Sequence, residues 1–245
     1  MPVHDFRTPR LYVDAPLTAG GEVALDRDQT NYLLNVLRLK RDDAALLFNG
    51  RDGEWRARLA GEGKRALSAT LAECLREQPP APDLHFLFAP LKHARLDYLV
   101  QKAVEMGVSL IQPVITRHTQ VARVNLDRMR ANVIEAAQQC GVLNLPAVAA
   151  PIDFAAAAAD DGRLVIFCDE RADVQDPIAA LKGAPRLPLS VLIGPEGGFA
   201  AEEREALIRR GNTVRIALGP RILRADTAAV AALAVVQAVL GDWRA

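Results

Sequence analysis

The sequence predicts a small β-rich unit followed by an α/β domain with a largely parallel sheet. Three observations predict this fold class. From residue 84 onward, short apolar runs alternate with helical repeats, as they do in α/β domains. Residues 1–75 instead contain short strand candidates separated by tight turns, which is typical of a barrel or a sandwich. Between them, residues 76–83 hold three prolines in four positions, which no helix or strand accommodates, so we assign 1–75 and 84–245 as domains and 76–83 as a linker.

The β-rich unit is predicted to contain five short strands and one helix. Residues 49–53 (NGRDG) fit a hairpin turn, because Asn and Gly tolerate positive φ. The helix covers residues 28–37, with Leu33, Val36 and Leu37 on one face. A small barrel with basic strand ends suits RNA, and a structural scaffold fits the same residues about as well. The strand candidates are residues 11–13, 22–25, 44–48, 55–59 and 66–71.

The α/β domain is predicted from apolar runs that are too short for helices and are followed by amphipathic stretches. One helix carries Leu96, Leu99 and Val100 at helical spacing, and another is capped by Asn125 and stops at Gly141. Pro113 interrupts one run and predicts an edge or irregular strand there. The strand candidates are residues 84–89, 110–116, 164–168, 189–193 and 213–218.

Two glycine-bearing loops near the C-terminus are the strongest candidate for a site. Residues 194–199 (GPEGGF) follow one strand candidate, and residues 219–224 (GPRILR) follow the next, and each leads into a helix. Glycine lets a ligand approach the backbone amides closely, and ligands of open α/β sheets bind where strands end. Ordinary strand-to-helix turns are the alternative, but two such loops within about 30 residues favour a small-molecule site.

Composition and missing motifs exclude several classes of function. The formal net charge is zero, no apolar run is long enough to span a membrane, and the N-terminus has no apolar leader. Three scattered cysteines and four histidines without ligand spacing indicate a cytoplasmic protein with reduced thiols and no metal site. The chain also has none of the common phosphate-loop, dinucleotide, serine-hydrolase or zinc-protease motifs. A site of backbone amides remains, which suits a cofactor that carries its own reactive group.

Charge is unevenly distributed along the chain. Residues 92–130 contain seven Lys or Arg and three acids, and residues 204–224 contain six arginines and one acid. A basic face on a neutral protein is consistent with an RNA partner, although solvated helix faces are the commoner explanation of any single run.

The sequence resembles the RsmE family of 16S ribosomal RNA uridine-N3 methyltransferases, in the SPOUT superfamily. The most specific resemblance lies in IGPEGGF at 193–199 and LGPRILRADTA at 218–228. RLDYLVQKAVEMG at 95–107, EAAQQCG at 135–141 and YLLNVLRLK at 32–40 support it. The chain departs from the family pattern at Ala225-Asp226, where Thr-Glu is common, at Val142, where Arg is usual, and at Arg117-His118-Thr119, where an acid and a Ser are frequent.

The resemblance implies a PUA-like β-barrel for RNA and a SPOUT α/β domain with a deep C-terminal trefoil knot. It further implies a homodimer that methylates N3 of one uridine in 16S rRNA of the small ribosomal subunit, uracil 1498 in the usual numbering of that RNA. The cofactor would be S-adenosyl-L-methionine. Its implied contacts are Phe167, Ile193, Gly194, Pro195, Glu196, Gly197, Gly198, Leu218, Gly219, Ile222, Leu223 and Thr227.

The catalytic expectations concern three side chains. Arg224 stabilises the negative charge that develops on the uracil oxygen, and Glu196 or Asp226 accepts the proton or orients the ribose. Expected phosphate contacts come from Arg10, Arg38, Lys92, Lys102 and Arg117. The rival hypotheses are a SPOUT enzyme that methylates a ribose 2′-oxygen or a guanine, and a catalytically silent RNA-binding assembly factor.

Overall fold

The computed structural model describes residues 7–61, 67–121, 123–174 and 176–244. The chain divides into two compact units. The first comprises residues 1–80 and 137–145, and the second comprises residues 81–136 and 146–245. The sequence did not indicate that residues 137–145 belong with the first unit, because the helical repeat runs through residue 140 without a break.

The first unit is built on a five-stranded sheet with the strand order β1-β3-β4-β5-β2. β1 pairs with β3 in parallel, and the other neighbours are antiparallel. The buried side chains of this unit include Leu33, Leu47 and Leu59, which form one apolar core. All five predicted strands are confirmed, although residue 66 lies outside the described residues. The strands are β1 (Arg10–Tyr12), β2 (Glu22–Ala24), β3 (Ala44–Phe48), β4 (Glu54–Ala60) and β5 (Ser68–Arg76).

The predicted helix of the first unit changes its geometry midway. α1 (Arg27–Asn31) begins with a capping box between Asp26 and Gln29, and a π-helical turn (Tyr32–Val36) follows directly. The amide of Leu37 donates to the carbonyl of Tyr32, five residues back. The chain then reaches Arg38 with φ at 58°, so the helix ends in the left-handed region.

The second unit alternates strands and helices as predicted. Its strands are β6 (Leu84–Phe88), β7 (Leu110–Ile115), β8 (Ala147–Val148), β9 (Ile152–Asp153), β10 (Leu164–Cys168), β11 (Leu189–Ile193) and β12 (Thr213–Ile216). Its helices are α2 (His93–Glu105), α3 (Leu126–Cys140), α4 (Phe154–Ala158), α5 (Pro177–Lys182), α6 (Ala201–Arg209) and α7 (Ala225–Val239), with a final 3₁₀ turn (Asp242–Arg244). The last turn of α3 clusters with the first unit.

The sheet of the second unit is parallel throughout, with the order β12-β10-β11-β6-β7-β8 and with β9 also paired to β7. Pro113 lies within β7, where the outer partner changes from β8 to β9. The side chain of Gln112 fills that gap by donating to the carbonyl of Ala150. Pro113 therefore marks an irregular edge, as predicted, because proline has no amide to donate to the ladder.

Within the described ranges, no helix is long and apolar enough to cross a membrane. Over the same residues, no three His, Cys, Asp or Glu side chains cluster so that they could hold a metal ion.

Candidate cofactor and RNA site

Three neighbouring strands bring their following loops to one edge of the second unit's sheet. β10 lies between β11 and β12, and all three run in parallel. Parallel neighbours end at the same edge, so the loops after Cys168, Ile193 and Ile216 start side by side. We call residues 194–200 the first glycine loop and residues 217–224 the second. Both open at the edge where open α/β sheets bind ligands.

An internal hydrogen bond and packing on an aromatic ring hold the first glycine loop in place. The amide of Gly198, whose φ is +71°, donates to the carbonyl of Pro195 at 2.9 Å. A Cβ at Gly194 would meet the Phe199 ring at 2.9 Å, so the loop requires glycine there. The Phe199 ring in turn packs edge-on against Phe167, with centroids 6.0 Å apart. The packed rings of Phe199 and Phe167 thus hold the first glycine loop in position at the edge of the sheet.

The loop after β7 is tied to the first glycine loop. Nδ1 of His118 lies 3.0 Å from the carbonyl oxygen of Gly198. The carboxylate of Glu203 accepts the amides of Arg117 at 2.8 Å and Ala200 at 2.9 Å, so one side chain bridges both segments. Glu196 pairs with Arg95 of α2 at 3.4 Å. These contacts position three segments around the same backbone turn.

The second glycine loop leaves its backbone and side chains open. Gly219 has φ at +88°, is exposed and would meet no atom within 4 Å if it carried a Cβ. The side chain of Ile222 is fully exposed. Arg224 is the N-cap residue of α7 and is also exposed, and no ion pair involves its guanidinium among the described residues. A cationic side chain at a helix N-terminus adds to the positive end of the helix dipole, so this corner attracts negative charge.

A buried carboxylate organises the loop after β10. Asp169 is 3% exposed and accepts hydrogen bonds from Arg204 at 3.1 Å and Arg215 at 3.0 Å, as well as from the amide of Arg171 at 3.0 Å. Burial raises the pKa of Asp169, but these hydrogen bonds and the two arginine charges outweigh it and hold the pKa below its ordinary value. The neighbouring Cys168 is half-buried, and removal of its thiol from water together with the Asp169 charge raises the thiol pKa to about 12.

The predicted cofactor contacts differ in accessibility. The side chain of Phe167 is fully buried under Phe199, so it supports the loop and does not face solvent. Ile193 and Pro195 are also buried, and the carbonyl of Ile193 accepts the amide of Ala89. The remaining predicted contacts are exposed or half-buried, namely Gly194, Glu196, Gly197, Gly198, Leu218, Gly219, Ile222, Leu223 and Thr227.

The three predicted catalytic residues have different surroundings. Arg224 is exposed beside the second glycine loop, and Glu196 is engaged by Arg95. Asp226 is half-buried in the first turn of α7, where one of its oxygens accepts the amide of Thr227 at 2.9 Å. Arg224 is therefore the least engaged of the three charges, and its role stays a prediction.

Arg10, which is predicted to contact RNA phosphate, is engaged by partners within the first unit. Its guanidinium is buried, pairs with Glu54 and donates to the carbonyls of Ala137, Gln138 and Val142. It also lies 4.2 Å from the centre of the Phe48 ring. Burial lowers the pKa of Arg10, partly offset by the hydrogen bond that it donates to Glu54. Arg10 thus joins residues 137–145 to the sheet of the first unit, and its contact with RNA stays a prediction.

The other predicted phosphate contacts remain accessible to different degrees. Arg38, Lys92 and Arg117 are exposed. Lys102 is half-buried and pairs with Glu105 at 2.7 Å, so a phosphate would have to compete with that carboxylate. Arg38 belongs to the first unit and the other three belong to the second. Contacts of these residues with RNA stay predictions.

Sequence reasoning missed several residues that organise the site. His118 and Glu203 are not among the predicted site residues, because their contacts come from segments that are distant in the chain. Asp169 carries a clearer signal, because an acid directly after an apolar strand candidate lies at the ligand-binding edge.

Comparison with protein families gives two matches on this chain. The family described as "RNA methyltransferase domain" matches residues 77–237, and the family described as "RNA methyltransferase PUA domain" matches residues 25–72. The predicted fold class, a PUA-like domain followed by a SPOUT-type parallel α/β domain, is confirmed by these matches. The trefoil knot stays a prediction from the sequence resemblance.

Individual relatives agree along nearly the whole length. A protein of Rickettsia conorii named ribosomal RNA small subunit methyltransferase E is 34% identical over 230 residues, which covers 93% of this chain and 94% of the relative. A crystal structure of the Neisseria gonorrhoeae protein of that name, bound to S-adenosyl methionine, superposes with a TM-score of 0.82 at 28% identity and covers 95% of this chain and 98% of that one. A Legionella pneumophila methyltransferase in complex with the same cofactor gives 0.81 at 27% identity, with the same coverage.

Proposed function

Because this chain belongs to the RNA methyltransferase family whose members include ribosomal RNA small subunit methyltransferase E, we propose that it methylates small-subunit ribosomal RNA. The methyl donor is S-adenosyl-L-methionine, as in the solved relatives. We further propose N3 of one uridine as the acceptor atom, which is the finer activity that the sequence resemblance implies. The protein acts in the cytoplasm, where its RNA substrate is made.

The observation that carries this proposal is the pair of open glycine loops at one sheet edge. Gly198 and Gly219 both have positive φ, and a Cβ on either would meet no atom within 4 Å. Space is therefore left over the backbone, and main-chain donors and acceptors can reach a nucleoside. Main-chain groups at these two turns suit a cofactor that brings its own reactive methyl group. These residues fit the cofactor by their chemistry.

The residues that would hold the cofactor supply orientation, while the cofactor supplies an electrophilic methyl group. Backbone groups of Gly194, Gly197 and Gly219 would hold the adenosine. The apolar side chains of Leu218 and Leu223 would exclude water from it. Aligning donor and acceptor atoms in this way removes most of the entropic barrier of a two-substrate reaction.

Arg224 is proposed to stabilise the charge that develops on the uracil when N3 loses its proton. It is exposed at the N-terminus of α7, where backbone amides and the guanidinium attract the same anion. Uracil must be unstacked to bring N3 to this corner, as in other enzymes that modify bases. The exposed Lys92 and Arg117 would then neutralise neighbouring phosphates.

We also propose that the protein works as a homodimer. This proposal rests on the sequence resemblance, which implies a homodimer. Light scattering of the purified protein tests this part alone: a dimer mass is expected, and a monomer mass at micromolar concentration would contradict it.

Transfer of a radiolabelled methyl group tests the proposed function. Purified protein is incubated with labelled S-adenosylmethionine and, separately, with small ribosomal subunits lacking the modification, with large subunits and with naked 16S rRNA. We expect label in small-subunit RNA and none in the large subunit. Binding of RNA without transfer to any substrate would show a silent binding factor and refute the proposal.

A further inference from the structure

We propose that His118 is the base that removes the N3 proton of the uracil. This inference rests on the proposed function and names a residue for its proton-transfer step. His118 lies in the loop after β7, directly over the first glycine loop: its Cβ would be 3.4 Å from a Cβ on Gly197, and its Nδ1 lies 3.0 Å from the carbonyl oxygen of Gly198. The ring is therefore held against the backbone that we assign to the cofactor.

The hydrogen bond to Gly198 fixes the tautomer of the ring. A carbonyl oxygen can only accept, so Nδ1 of His118 must be the donor and must carry the proton. In the neutral imidazole the other nitrogen, Nε2, then holds a lone pair. The protein backbone thus prepares His118 as a proton acceptor, in the same way that a carbonyl or carboxylate orients catalytic histidines in general.

Nε2 is also accessible. The His118 side chain is exposed, and Nε2 has no hydrogen-bond partner among the described residues. A Cβ at position 197 would lie in ordinary van der Waals contact with the Cβ of His118, at 3.4 Å, so His118 lies directly against this loop. The free lone pair therefore faces the space in front of the loop, where a flipped base would enter.

The neighbouring carboxylates are already engaged. Glu196 pairs with Arg95, and both oxygens of Glu203 accept backbone amides, one from Arg117 and one from Ala200. The charged groups that these contacts bring around His118 are Arg117 on its own segment, Glu203 at the start of α6, Glu196 in the first glycine loop and Arg95 on α2.

Asp226 is the other predicted proton acceptor, and it is less suited. It is half-buried, and one of its oxygens holds the amide of Thr227 in the first turn of α7. An imidazole with a free Nε2 lone pair is the side chain that enzymes most often use to take up a proton, and His118 presents one.

The step balances in atoms and charge. Nε2 of His118 takes the N3 proton, and the N3 electron pair forms the new bond to the methyl carbon. The carbon–sulfur bond of the donor breaks, and its electron pair stays on sulfur, which becomes the neutral thioether of S-adenosylhomocysteine. The imidazolium of His118 then returns its proton to solvent.

Two substitutions separate this role from loop positioning. His118→Asn keeps an N–H donor at the position of Nδ1, so the hydrogen bond to Gly198 survives while the base is lost. His118→Ala removes both. The affinity for S-adenosylmethionine is measured by calorimetry, and the rate of 3-methyluridine formation is measured by mass spectrometry of digested RNA from small ribosomal subunits.

For His118→Asn we expect unchanged cofactor affinity and a kcat about 100-fold to 10,000-fold lower, which is the usual contribution of a general base. For His118→Ala we expect the same loss of kcat and weaker cofactor binding, with added imidazole restoring part of the rate. A His118→Asn variant within about threefold of the wild-type rate, a difference smaller than any general-base contribution, would overturn the proposal. If the wild-type protein forms no 3-methyluridine, the proposed function itself fails, and the role of His118 fails with it.

Discussion

The close approach of Gly194 to the Phe199 ring gives a sharp prediction for Gly194→Ala. The new methyl group would lie 2.9, 3.1 and 3.2 Å from three atoms of that ring. Real Cβ atoms essentially never come within 3.0 Å of another heavy atom, so either the ring or the loop has to move. The ring cannot swing away freely, because it packs against Phe167 at 6.0 Å and Phe154 at 6.2 Å between ring centres.

The size of the effect follows from these contacts. Forcing one extra methyl group into a packed site costs about 1–3 kcal/mol. If the loop moves, this penalty appears as a loss of cofactor affinity of about 5-fold to 150-fold. If the aromatic cluster moves instead, it appears as a melting temperature lower by about 2–4 °C per kcal/mol for a chain of this size. Gly194 has no positive φ, so backbone strain adds nothing to the penalty.

The assay combines calorimetry with S-adenosylmethionine and thermal unfolding of the same samples. Gly211→Ala is the matched control, since it adds the same methyl group at an exposed glycine outside the proposed site, where no atom lies within 4 Å. We expect the control to stay within about 0.5 kcal/mol of the wild-type protein in both measurements. Wild-type affinity and melting temperature in Gly194→Ala, or equal losses in both variants, would refute the reasoning.

Three further predictions concern other sites. Arg224→Ala should lower kcat about 100-fold to 1,000-fold in the methyl-transfer assay, with little change in the cofactor affinity measured by calorimetry. A rate near that of the wild-type protein would show that Arg224 does not have its assigned role. Glu54→Gln should cost about 3–5 kcal/mol of unfolding free energy at pH 7, because it leaves Arg10 buried without its anion. Burial raises the pKa of Glu54, but Arg76 and Arg10 lower it below its ordinary value of 4.5. The stabilisation from ionised Glu54 is therefore complete above pH 4.5 and is lost as the pH falls through the lower pKa of the folded state. The unfolding free energies of the wild-type protein and the variant, measured by urea titration, should therefore converge in acid. A constant difference between them would contradict this. Cys168, whose thiol pKa is about 12, should react with a thiol reagent at pH 8 only after unfolding, unlike the exposed Cys74 and Cys140. Prompt labelling of Cys168 in the native protein would show that its thiol is not buried.

Local sequence patterns were sufficient for the architecture. Alternation of apolar runs and helical repeats is a property of neighbouring residues, so it identified all five strands of the first unit and five of the seven strands of the second. The two-residue strands β8 and β9 and the short helix α5 were not predicted. The same applies to the two glycine loops, because a glycine after a buried strand already indicates where the backbone is open. The Pro-rich segment 76–83 was interpreted as a linker, yet β5 extends to Arg76, since a strand can continue until the first proline.

Features that depend on distant partners were not predictable. Arg10 looked like a free basic residue, and only the fold brings Glu54 and the carbonyls of residues 137–142 around it. His118 has no local signal, since its meaning comes from a carbonyl 80 residues away in the chain. The charge of a side chain can be read from a sequence, whereas its burial and its hydrogen-bond partners cannot.

The identity of the methylated atom tests the central claim most directly. Small ribosomal subunits lacking the modification are treated with the protein and S-adenosylmethionine, and the RNA is digested and its nucleosides are resolved by mass spectrometry. The account predicts one 3-methyluridine per subunit. A methyl group on a ribose 2′-oxygen or on a guanine, or no new methyl group at all, would contradict it.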